Sequence, residues 1–326
     1  MTIMVTNSPL PPYRSAMSVN HSILRLSSDI AYRLGRLSCL GTVEPDASCH
    51  AEEVKFTLAC EGITLTPSQM RALNKGEDLP SCPLATSLFH LYSRLGKEDP
   101  YSPSILERFE KAVHPDGVPM RKSSKIEGVS YPLPPYNKVR KLLENLFEFE
   151  KKNKEVMSPV TLACLLYFEV MALAPYSSQN GLLARYWFKT MLGKAGRSMD
   201  ALKIEKSLFY QKDKLAKAFE ESSAKQDNAP FVECLLTLVL SSVNALLKEA
   251  SQKQTAPSPL VDRLLAKMAI GRFYSASELC ALLGLKSRLG LQKNYLRPAL
   301  DRGKIAMSNP LCPTDRNQRY CRKGVL

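Results

Sequence analysis

Apolar residues recur with helical spacing through most of the chain, and Pro, Gly and Ser separate the apolar stretches. Few segments alternate apolar and polar residues as strands do. Ser158 and Pro159 predict the start of a helix, because serine is a favoured N-cap and proline fits the first helical position. The nearly all-apolar stretch 160–173 predicts a buried helix, and a second helix is expected from about Asn180 toward Gly193. The pattern therefore predicts a mainly α-helical body.

The C-terminal part of the chain predicts a helix-turn-helix followed by a wing. Residues 251–259 are polar and end in proline, which is typical of a linker, and apolar residues at helical spacing follow. A capping box at Ser275 opens a second helix, and Ser287 caps a third that runs toward Asp301 with a disturbance near Pro298. Two short strands separated by a proline-bearing loop would then form the wing.

The chain is basic, with 45 Lys and Arg against 31 Asp and Glu and a formal net charge of +14. Residues 256–326 hold thirteen Lys and Arg but only four Asp and Glu, so the excess is concentrated there. At 326 residues the chain is longer than most single cores, and two or three domains are expected. A basic C-terminal domain predicts a partner that carries phosphate, and DNA is the leading candidate.

Other features of the sequence argue against a membrane span, a secretory signal and a metal site. The longest apolar stretches are too short or too interrupted to span a bilayer unaided, and the first residues lack the pattern of a secretory signal. We therefore expect a cytoplasmic protein without a membrane partner. Its nine cysteines show no Cys-x-x-Cys spacing, which favours reduced thiols over disulfides or zinc ligands. No metal site is predicted.

Residues 174–185 hold the candidate chemistry, at the junction of the two central helices. A helix N-terminus presents free N–H groups and partial positive charge, and Gly181 lets a phosphate approach closely. On its own, an Asn-Gly pair is more typical of a plain interhelical turn. The loop as a whole resembles the active-site loop of the Fic (Fido) family, whose pattern is His-Pro-Phe-x-(Asp/Glu)-Gly-Asn-Gly-Arg-x-x-Arg.

The match to this loop is partial. The residues in agreement are Pro175, the aromatic Tyr176, Asn180, Gly181 and Arg185. The departures are Ala174 for the histidine, Ser178 for the acid, Gln179 for the first glycine and Leu182 for the first arginine. Other stretches resemble the family in the right order, namely the apolar helix 162–173, a flap around 131–135, residues 202–210 and the helix that begins near Phe231. The resemblance implies a Fic-type helical core with a small β-hairpin flap, to which Ile126 and Val129 belong.

The departures bear directly on activity. In active Fic enzymes the histidine is a general base, the acid holds Mg²⁺, the glycine amides and arginines bind ATP phosphates, and AMP passes to a protein hydroxyl. Ala174 accepts no proton, Ser178 is a poor Mg²⁺ ligand and Leu182 cannot pair with phosphate. Loss of a general base costs about 10²- to 10⁴-fold, and loss of an arginine clamp about 10³- to 10⁵-fold. The resemblance therefore implies a pseudoenzyme without a catalytic residue. The candidate nucleotide-binding residues that remain are Asn180, Gly181 and Arg185.

Two further hypotheses stay open. One is a protein adenylyltransferase with an atypical base, which would have to come from outside the loop. The histidines are His21, His50, His90 and His114. No cofactor is predicted for the pseudoenzyme, whereas this enzyme would require ATP with Mg²⁺. The other hypothesis is a protein-interaction module whose flap binds a target peptide as an added strand.

A short N-terminal motif matches the inhibitory motif of one Fic subclass, Ser/Thr-x-x-x-Glu-Gly/Asn, in Thr57, Glu61 and Gly62. In those relatives the glutamate pairs with the last arginine of the loop and blocks productive ATP binding. The resemblance therefore implies an ion pair between Glu61 and Arg185. Glu127 begins the same Glu-Gly ending, but it would fall in the flap, and we prefer Glu61.

The C-terminal segment resembles the winged-helix domain that often follows Fic domains. Winged helices place the third helix in the major groove and the wing on the backbone. The candidate groove residues are Lys286, Arg288, Gln292, Lys293 and Asn294, and the candidate wing residues are Arg316, Arg319, Arg322 and Lys323. Many winged helices dock proteins instead, but the excess positive charge favours DNA.

Four regions are expected along the chain. They are an N-terminal helical region with the inhibitory helix (1–80), the Fic core (81–250), a linker (251–259) and a winged helix-turn-helix (260–326). The sequence leaves the oligomeric state open.

Overall fold

The structure is a computed structural model that describes residues 3–5, 17–115, 120–126, 129, 131–255, 258–310, 312–313 and 315–324. The chain divides into two compact units. The first unit takes in 1–34 and 43–246, and the second takes in 35–42 and 247–326.

The first unit is mainly helical, as the sequence predicts. Its helices are α1 His21–Cys39, α2 Ala47–Cys60, α3 Pro67–Asn74, α4 Pro83–Tyr92, α5 Ser104–Val113, α6 Val139–Asn153, α7 Pro159–Leu173, α8 Asn180–Leu192, α9 Ile204–Tyr210, α10 Lys212–Lys225 and α11 Ala229–Thr255. The last residues of α1 and α11 belong to the second unit. Near the N-terminus, β1 Ile3–Val5 and β2 Met17–Val19 pair antiparallel, which the sequence pattern does not predict.

Helices α7 and α8 form the centre of the first unit. α7 is apolar around nearly its whole circumference, and residues 160–170 are all buried, as expected for a helix that packs on every side. In α8 the large side chains of Tyr186, Trp187 and Phe188 are fully buried. The Trp187 ring centroid lies 4.7 Å from that of Phe147 on α6. The loop between α7 and α8 therefore starts and ends on elements that are fixed by packing.

Helix α11 is the one helix, within the described ranges, that is long and apolar enough to cross a membrane. Its candidate span is Ala229–Gln252, and 61% of the most apolar window in that span is buried inside the fold. The core helix of a folded domain meets the same length and composition test, so this finding is weak evidence for a membrane span.

The second unit has a helix-turn-helix and a small sheet. Its elements are α12 Pro259–Lys267, β3 Phe273–Ser275, α13 Ala276–Leu283, α14 Arg288–Leu291, α15 Arg297–Asp301, β4 Ile305–Met307 and β5 Arg319–Arg322. The sheet order is β3-β5-β4, and both pairings are antiparallel. The sequence predicts the β4–β5 wing but not β3, because three residues are too few to show an alternation.

The start and turn signals of the helix-turn-helix are confirmed. Ser275 Oγ accepts a hydrogen bond from the Glu278 N–H at 3.2 Å, and Glu278 Oε2 accepts one from the Ser275 N–H at 2.7 Å. Gly284 ends α13 in the left-handed region, with φ 68°. Ser287 Oγ accepts from the Gly290 N–H at 3.1 Å, so it caps the third helix as expected.

The third helix is continuous from α14 to α15 through a π-helical turn at Gln292–Leu296. The sequence predicts a disturbance near Pro298, and the π turn lies directly before it. Proline lacks an N–H, and in a regular helix its ring clashes with the carbonyl four residues back, here that of Asn294. A wider π turn relieves this clash without ending the helix.

Two predictions differ from the structure. Helix α11 continues to Thr255, so the segment expected as a linker from residue 251 begins as helix. Neither glycine nor proline occurs at 250–255, and nothing there ends the helix. The β-hairpin expected in the flap is absent from the flap residues that the structure describes, where Met120 forms one isolated bridge to Tyr176. Three prolines in 131–135 disfavour strand pairing. The alternative motif residue Glu127 lies outside the described residues.

Candidate functional site

The loop between α7 and α8 begins and ends in left-handed backbone conformations. Ala174, at the position of the family's histidine, ends α7 with φ 43°, and its N–H donates to the Val170 carbonyl at 2.9 Å. Gln179 precedes α8 with φ 62°. This region favours glycine and costs other residues about 1 kcal/mol or more. Gln179, at the position of the first glycine of the family pattern, therefore adopts a conformation that glycine would adopt at lower energetic cost.

Asn180 holds the loop closed from inside. Its Oδ1 accepts a hydrogen bond from the Tyr176 N–H at 2.9 Å, and its Nδ2 donates to the Tyr176 carbonyl at 2.8 Å. Both polar ends of the side chain are thus used by one loop residue. Asn180 therefore fixes the shape of the loop, and both polar ends of its side chain are occupied by Tyr176.

Tyr176 anchors the loop in the core. Its ring is fully buried and stacks on Phe109 of α5 at a centroid distance of 6.2 Å. Its hydroxyl donates to Glu110 Oε1 at 2.7 Å. Burial, together with this hydrogen bond, raises the pKa of Tyr176 well above its usual value. The hydroxyl is therefore a fixed donor and not a base.

Arg121 fastens the loop from the flap side, which the sequence gives no reason to expect. Its side chain is 3% exposed, and Nε donates to the Ala174 carbonyl at 2.9 Å. Nη2 donates to the Pro134 carbonyl at 2.6 Å, and the Arg121 N–H donates to the Pro175 carbonyl at 3.0 Å. The segment 120–126 and the loop are thus joined at the residue where the family has its base.

Arg185 lies at the centre of a buried charge cluster. Its Nη2 donates to Glu61 Oε1 at 2.6 Å, and its Nε donates to Thr57 Oγ1 at 2.8 Å. Nη2 also donates to the Thr57 carbonyl at 3.1 Å. Nε lies 3.5 Å from Glu205 Oε2 on α9. The structure therefore pairs Glu61 with Arg185, and it adds Glu205, which the sequence analysis missed.

Glu205 is held as firmly as the arginine. It is fully buried, and its Oε1 accepts a hydrogen bond from the Tyr92 hydroxyl at 2.6 Å. Desolvation raises the pKa of Glu205, and the charge of Arg185 opposes that rise. A second buried pair, Glu53 and Lys189 at 2.7 Å, adjoins it, since the Glu205 N–H approaches Glu53 Oε1 at 3.4 Å. In the sequence, Glu205, Glu53 and Lys189 are distinguished only as charged residues within largely apolar helical segments.

The N-terminus of α8 is packed against this cluster. A Cβ atom on Gly181 would lie 3.1 Å from Arg185 Nη1 and 3.3 Å from Glu61 Oε1. Because glycine has no Cβ, the Glu61–Arg185 ion pair can pack directly against the N-terminus of α8. The carboxylate of Glu61 supplies negative charge where the free N–H groups of a helix N-terminus favour an anion.

The residues of the loop do not fit the ATP and Mg²⁺ chemistry of an active Fic site. Ser178, at the position of the acid, is exposed and offers only a neutral hydroxyl. Leu182, at the position of the first arginine, is fully buried. Within the described residues, no group of three or more His, Cys, Asp or Glu side chains could hold a metal ion.

Of the histidines considered as substitute bases, His114 lies beside the loop, whereas His90 and His50 contact residues outside it. The His114 ring contacts the buried rings of Phe109 and Tyr176, at 6.3 Å and 6.0 Å between centroids. Burial lowers the pKa of His114. His90 Nε2 lies 3.0 Å from Asp78 Oδ1, and the His50 ring packs on Phe89.

The two flap residues singled out in the sequence are joined by a backbone hydrogen bond. Ile126 and Val129 are half-buried, and the Val129 N–H donates to the Ile126 carbonyl at 3.2 Å. The described flap residues contain no strand that a peptide could extend. Tyr131 is fixed to the core, since its hydroxyl donates to the Met171 carbonyl at 2.7 Å.

The seven DNA-binding candidates named from the third helix and the wing are all exposed in the second unit. They are Lys286, Arg288, Gln292, Lys293 and Asn294 near or on the third helix, with Arg316 and Arg319 in the wing. Arg288 Nη2 also donates to Ser277 Oγ on α13 at 2.5 Å. From the sequence, Arg322 is also expected to contact phosphates from the wing. Its Nη1 instead donates to the Leu265 carbonyl at 2.7 Å, near the end of α12.

Comparisons with known proteins agree with this architecture. Residues 259–321 match the family model described as filamentation induced by cAMP protein Fic-like, C-terminal domain. Across the whole chain, a Fic family protein from Desulfovibrio desulfuricans G20 is similar in structure, with a TM-score of 0.62 and 21% identity over 94% of this chain and 98% of that one. The chain has a Fic-like fold.

Two other solved structures share the Fic-like fold over part of the chain. Fic-1 from C. elegans matches with a TM-score of 0.52 and 15% identity, over 71% of this chain and 72% of that one. A Fic domain containing signaling protein from Bacteroides thetaiotaomicron VPI-5482 matches with a TM-score of 0.50 and 18% identity, over 71% and 98%. No curated protein matches the sequence. The mainly helical fold class is thereby confirmed.

Proposed function

We propose that this chain is a Fic-family protein without AMP-transferase activity, which acts as a regulator or scaffold through its C-terminal winged helix. The observation that carries the first part is the engagement of Arg185. The one arginine retained from the family loop is buried and donates to Glu61 and to Thr57, with Glu205 beside it. Its Nε and Nη2 donors are therefore already engaged within the fold.

The remaining loop residues support the same proposal. Ala174 has no group that accepts a proton, and its carbonyl is occupied by Arg121. Ser178 supplies no charge to a divalent cation. The side chain of Asn180 is used within the loop. Each part of the site that would act on ATP is either replaced or used to hold the fold.

Arg185 and Glu61 form a structural clamp in this proposal. The pair joins α8 to the end of α2, and Thr57 adds two hydrogen bonds to the same helix. In the Fic relatives that carry the inhibitory motif, the glutamate blocks productive ATP binding and so inhibits catalysis. In this protein the paired conformation serves as permanent structure. Its release would not start catalysis, because Ala174 and Ser178 stand at the positions of the family's base and metal ligand.

DNA binding is the second part of the proposal and rests on the second unit. Its exposed cations lie on the third helix and in the wing, the two elements that a winged helix presents to the major groove and the phosphate backbone. Lys286 and Lys293 suit the groove, and Arg316 and Arg319 suit the phosphates. The capped helices hold these side chains on a rigid frame.

Fluorescence anisotropy of the full chain with labelled mixed-sequence duplex DNA tests this part. At low salt we expect saturable binding that the triple variant Lys286→Ser, Lys293→Ser and Arg319→Ser weakens by about tenfold or more. The matched control replaces three exposed cations of the first unit, Arg71, Lys122 and Lys151, by serine. Undetectable binding at low salt, or equal losses in both triple variants, would sink the DNA proposal.

A further inference from the structure

A groove outside the loop region lies between α4 and α5. It encloses about 400 Å³ and is lined by Ser87, Leu91, Arg94, Arg108, Lys111 and Ala112 among others. Pockets of about 300–1,000 Å³ are typical of small-molecule sites. The proposed function makes no use of this groove.

The charges in the groove are predominantly positive. Arg94, Arg108 and Lys111 contribute three cations, and Glu98 contributes one carboxylate. Glu98 is 4% exposed and forms an ion pair with Arg108. Within the part of the chain that the structure describes, Arg94 and Lys111 have no ion-pair partner. Two cations therefore face the groove without compensation.

The ion pair with Glu98 has a structural consequence for Arg108. Glu98 is buried at the base of the two helices, and its backbone carbonyl accepts a hydrogen bond from Lys194 Nζ at 3.0 Å. A guanidinium held by a fixed carboxylate loses little conformational freedom when it binds a second group. Arg108 is thus preorganised, whereas Arg94 and Lys111 are free to close on a ligand.

The frame of the groove is rigid on its inner side. The residues of α4 and α5 that face the core are buried, among them Leu88, Phe89, Ile105 and Phe109. Leu91 and Ala112 present apolar surface to the groove beside the cations, and Ser87 adds a hydroxyl. His90 lies at the same groove and is paired with Asp78. The site therefore combines a cationic wall with an apolar floor.

We propose that this groove binds a small organic phosphate, with the phosphate against Arg94, Arg108 and Lys111 and the organic part on Leu91 and Ala112. Guanidinium groups match the oxygens of a phosphate in geometry and form charge-assisted hydrogen bonds. A dianionic phosphomonoester neutralises the two cations that have no partner. The Ser87 hydroxyl provides one further donor.

The test is an NMR titration of the isotope-labelled full chain, followed through backbone amide signals. Three probes are used, namely inorganic phosphate, glucose 6-phosphate and adenosine 5′-monophosphate. We expect saturable shifts confined to α4, α5 and the segment around Glu98. The organic phosphates should bind more tightly than inorganic phosphate because they also cover the apolar floor.

A pair of variants gives the decisive comparison. Arg94→Ser with Lys111→Ser should weaken every probe by about tenfold or more, because two charge-assisted contacts are lost. The control, Arg71→Ser with Lys151→Ser, removes the same charges from exposed positions on α3 and α6 and should leave binding unchanged. Both double variants keep Glu98 and Arg108, so the fold is retained.

Three results would overturn the proposal. The first is the absence of saturable shifts in α4 and α5 with any of the three probes. The second is an equal loss of affinity in both double variants, which would mean that the probes respond to the net positive charge of the protein and not to this groove. The third is binding of inorganic phosphate with no gain from either organic probe, which would mean a plain anion site without the apolar contact.

Discussion

The Nε atom of Arg185 lies 3.5 Å from the buried carboxylate of Glu205. This contact adds to the 2.6 Å hydrogen bond that Nη2 donates to Glu61. Glu205 is fully buried, while the side chain of Glu61 is 23% exposed. The arginine is thus shared between a carboxylate that water can reach and one that it cannot. Removal of Glu61 alone leaves Arg185 with a counter-ion and with both contacts to Thr57.

The two carboxylates should differ in their effect on stability. Glu205→Gln removes the enclosed partner of Arg185 and should lower the free energy of unfolding by about 3 kcal/mol. Glu61→Gln changes a pair that solvent already screens and should cost about 1 kcal/mol. Urea unfolding followed by the fluorescence of Trp187, the single tryptophan, measures both. An equal cost for the two variants would contradict the shared-arginine arrangement.

Glu150 should make the first unit less stable as the pH rises. It is fully buried on α6, neither carboxyl oxygen has a hydrogen-bond partner among the described residues, and desolvation raises its pKa well above the usual value. Below the unfolded pKa both states are protonated. Above it the unfolded state ionises while the folded state stays protonated, so stability falls by about 1.4 kcal/mol per pH unit until the folded pKa is reached.

Glu150→Gln removes this pH dependence. We expect the variant to equal the wild type near pH 4 and to exceed it by about 1–3 kcal/mol at pH 7. The control is Glu148→Gln, an exposed glutamate on the same helix, which should follow the wild-type profile. Urea unfolding at steps between pH 4 and pH 8 gives the comparison. Parallel profiles for Glu150→Gln and wild type would show that Glu150 is ionised in the folded state.

Arg121 should be the main tie between the flap side and the loop. Arg121→Met keeps the apolar stem but leaves the carbonyls of Ala174 and Pro134 without this donor, and we expect a loss of about 3 kcal/mol. The Tyr176 amide should also exchange its hydrogen faster, because the loop opens more often. Lys122→Met, at an exposed neighbour, should change neither quantity. Unchanged exchange at Tyr176 in Arg121→Met would mean that Asn180 alone closes the loop.

The wing arginines should act through phosphates and not through bases. Arg316→Ser with Arg319→Ser should reduce the slope of log affinity against log salt concentration by about 1.8, since each phosphate contact contributes about 0.9. The loss should be the same for every duplex sequence. Anisotropy titrations at four salt concentrations measure the slope. An unchanged slope with a loss limited to some sequences would place these residues at base edges instead.

Much of the fold follows from local signals in the sequence. The apolar circumference of α7, the proline at its start and the capping box at Ser275 all act within a few residues, and their elements lie where these signals predict. The third helix shows the same principle, because Pro298 makes its disturbance predictable. The short strands β1, β2 and β3 lack such a signal, since three residues show no periodicity.

The candidate site is less predictable because its contacts join distant segments. Glu61 and Arg185 can be paired only through a family resemblance, since 124 residues separate them. Arg121, Glu205 and Lys189 look like ordinary charges in their own segments. Their roles depend on burial and on partners from other helices, which the local pattern does not contain.

The most direct test of the central claim is transfer of label from α-phosphate-labelled ATP, in the presence of Mg²⁺ and Mn²⁺, to the protein itself or to proteins of a lysate. The wild type and Glu61→Gly are compared. We predict no labelled product from either form, because Ala174 and Ser178 supply neither a base nor a charged metal ligand to the loop and Arg185 stays with Glu205 and Thr57 when Glu61 is removed. Label that increases in Glu61→Gly would contradict this and would identify an active enzyme with a relieved brake.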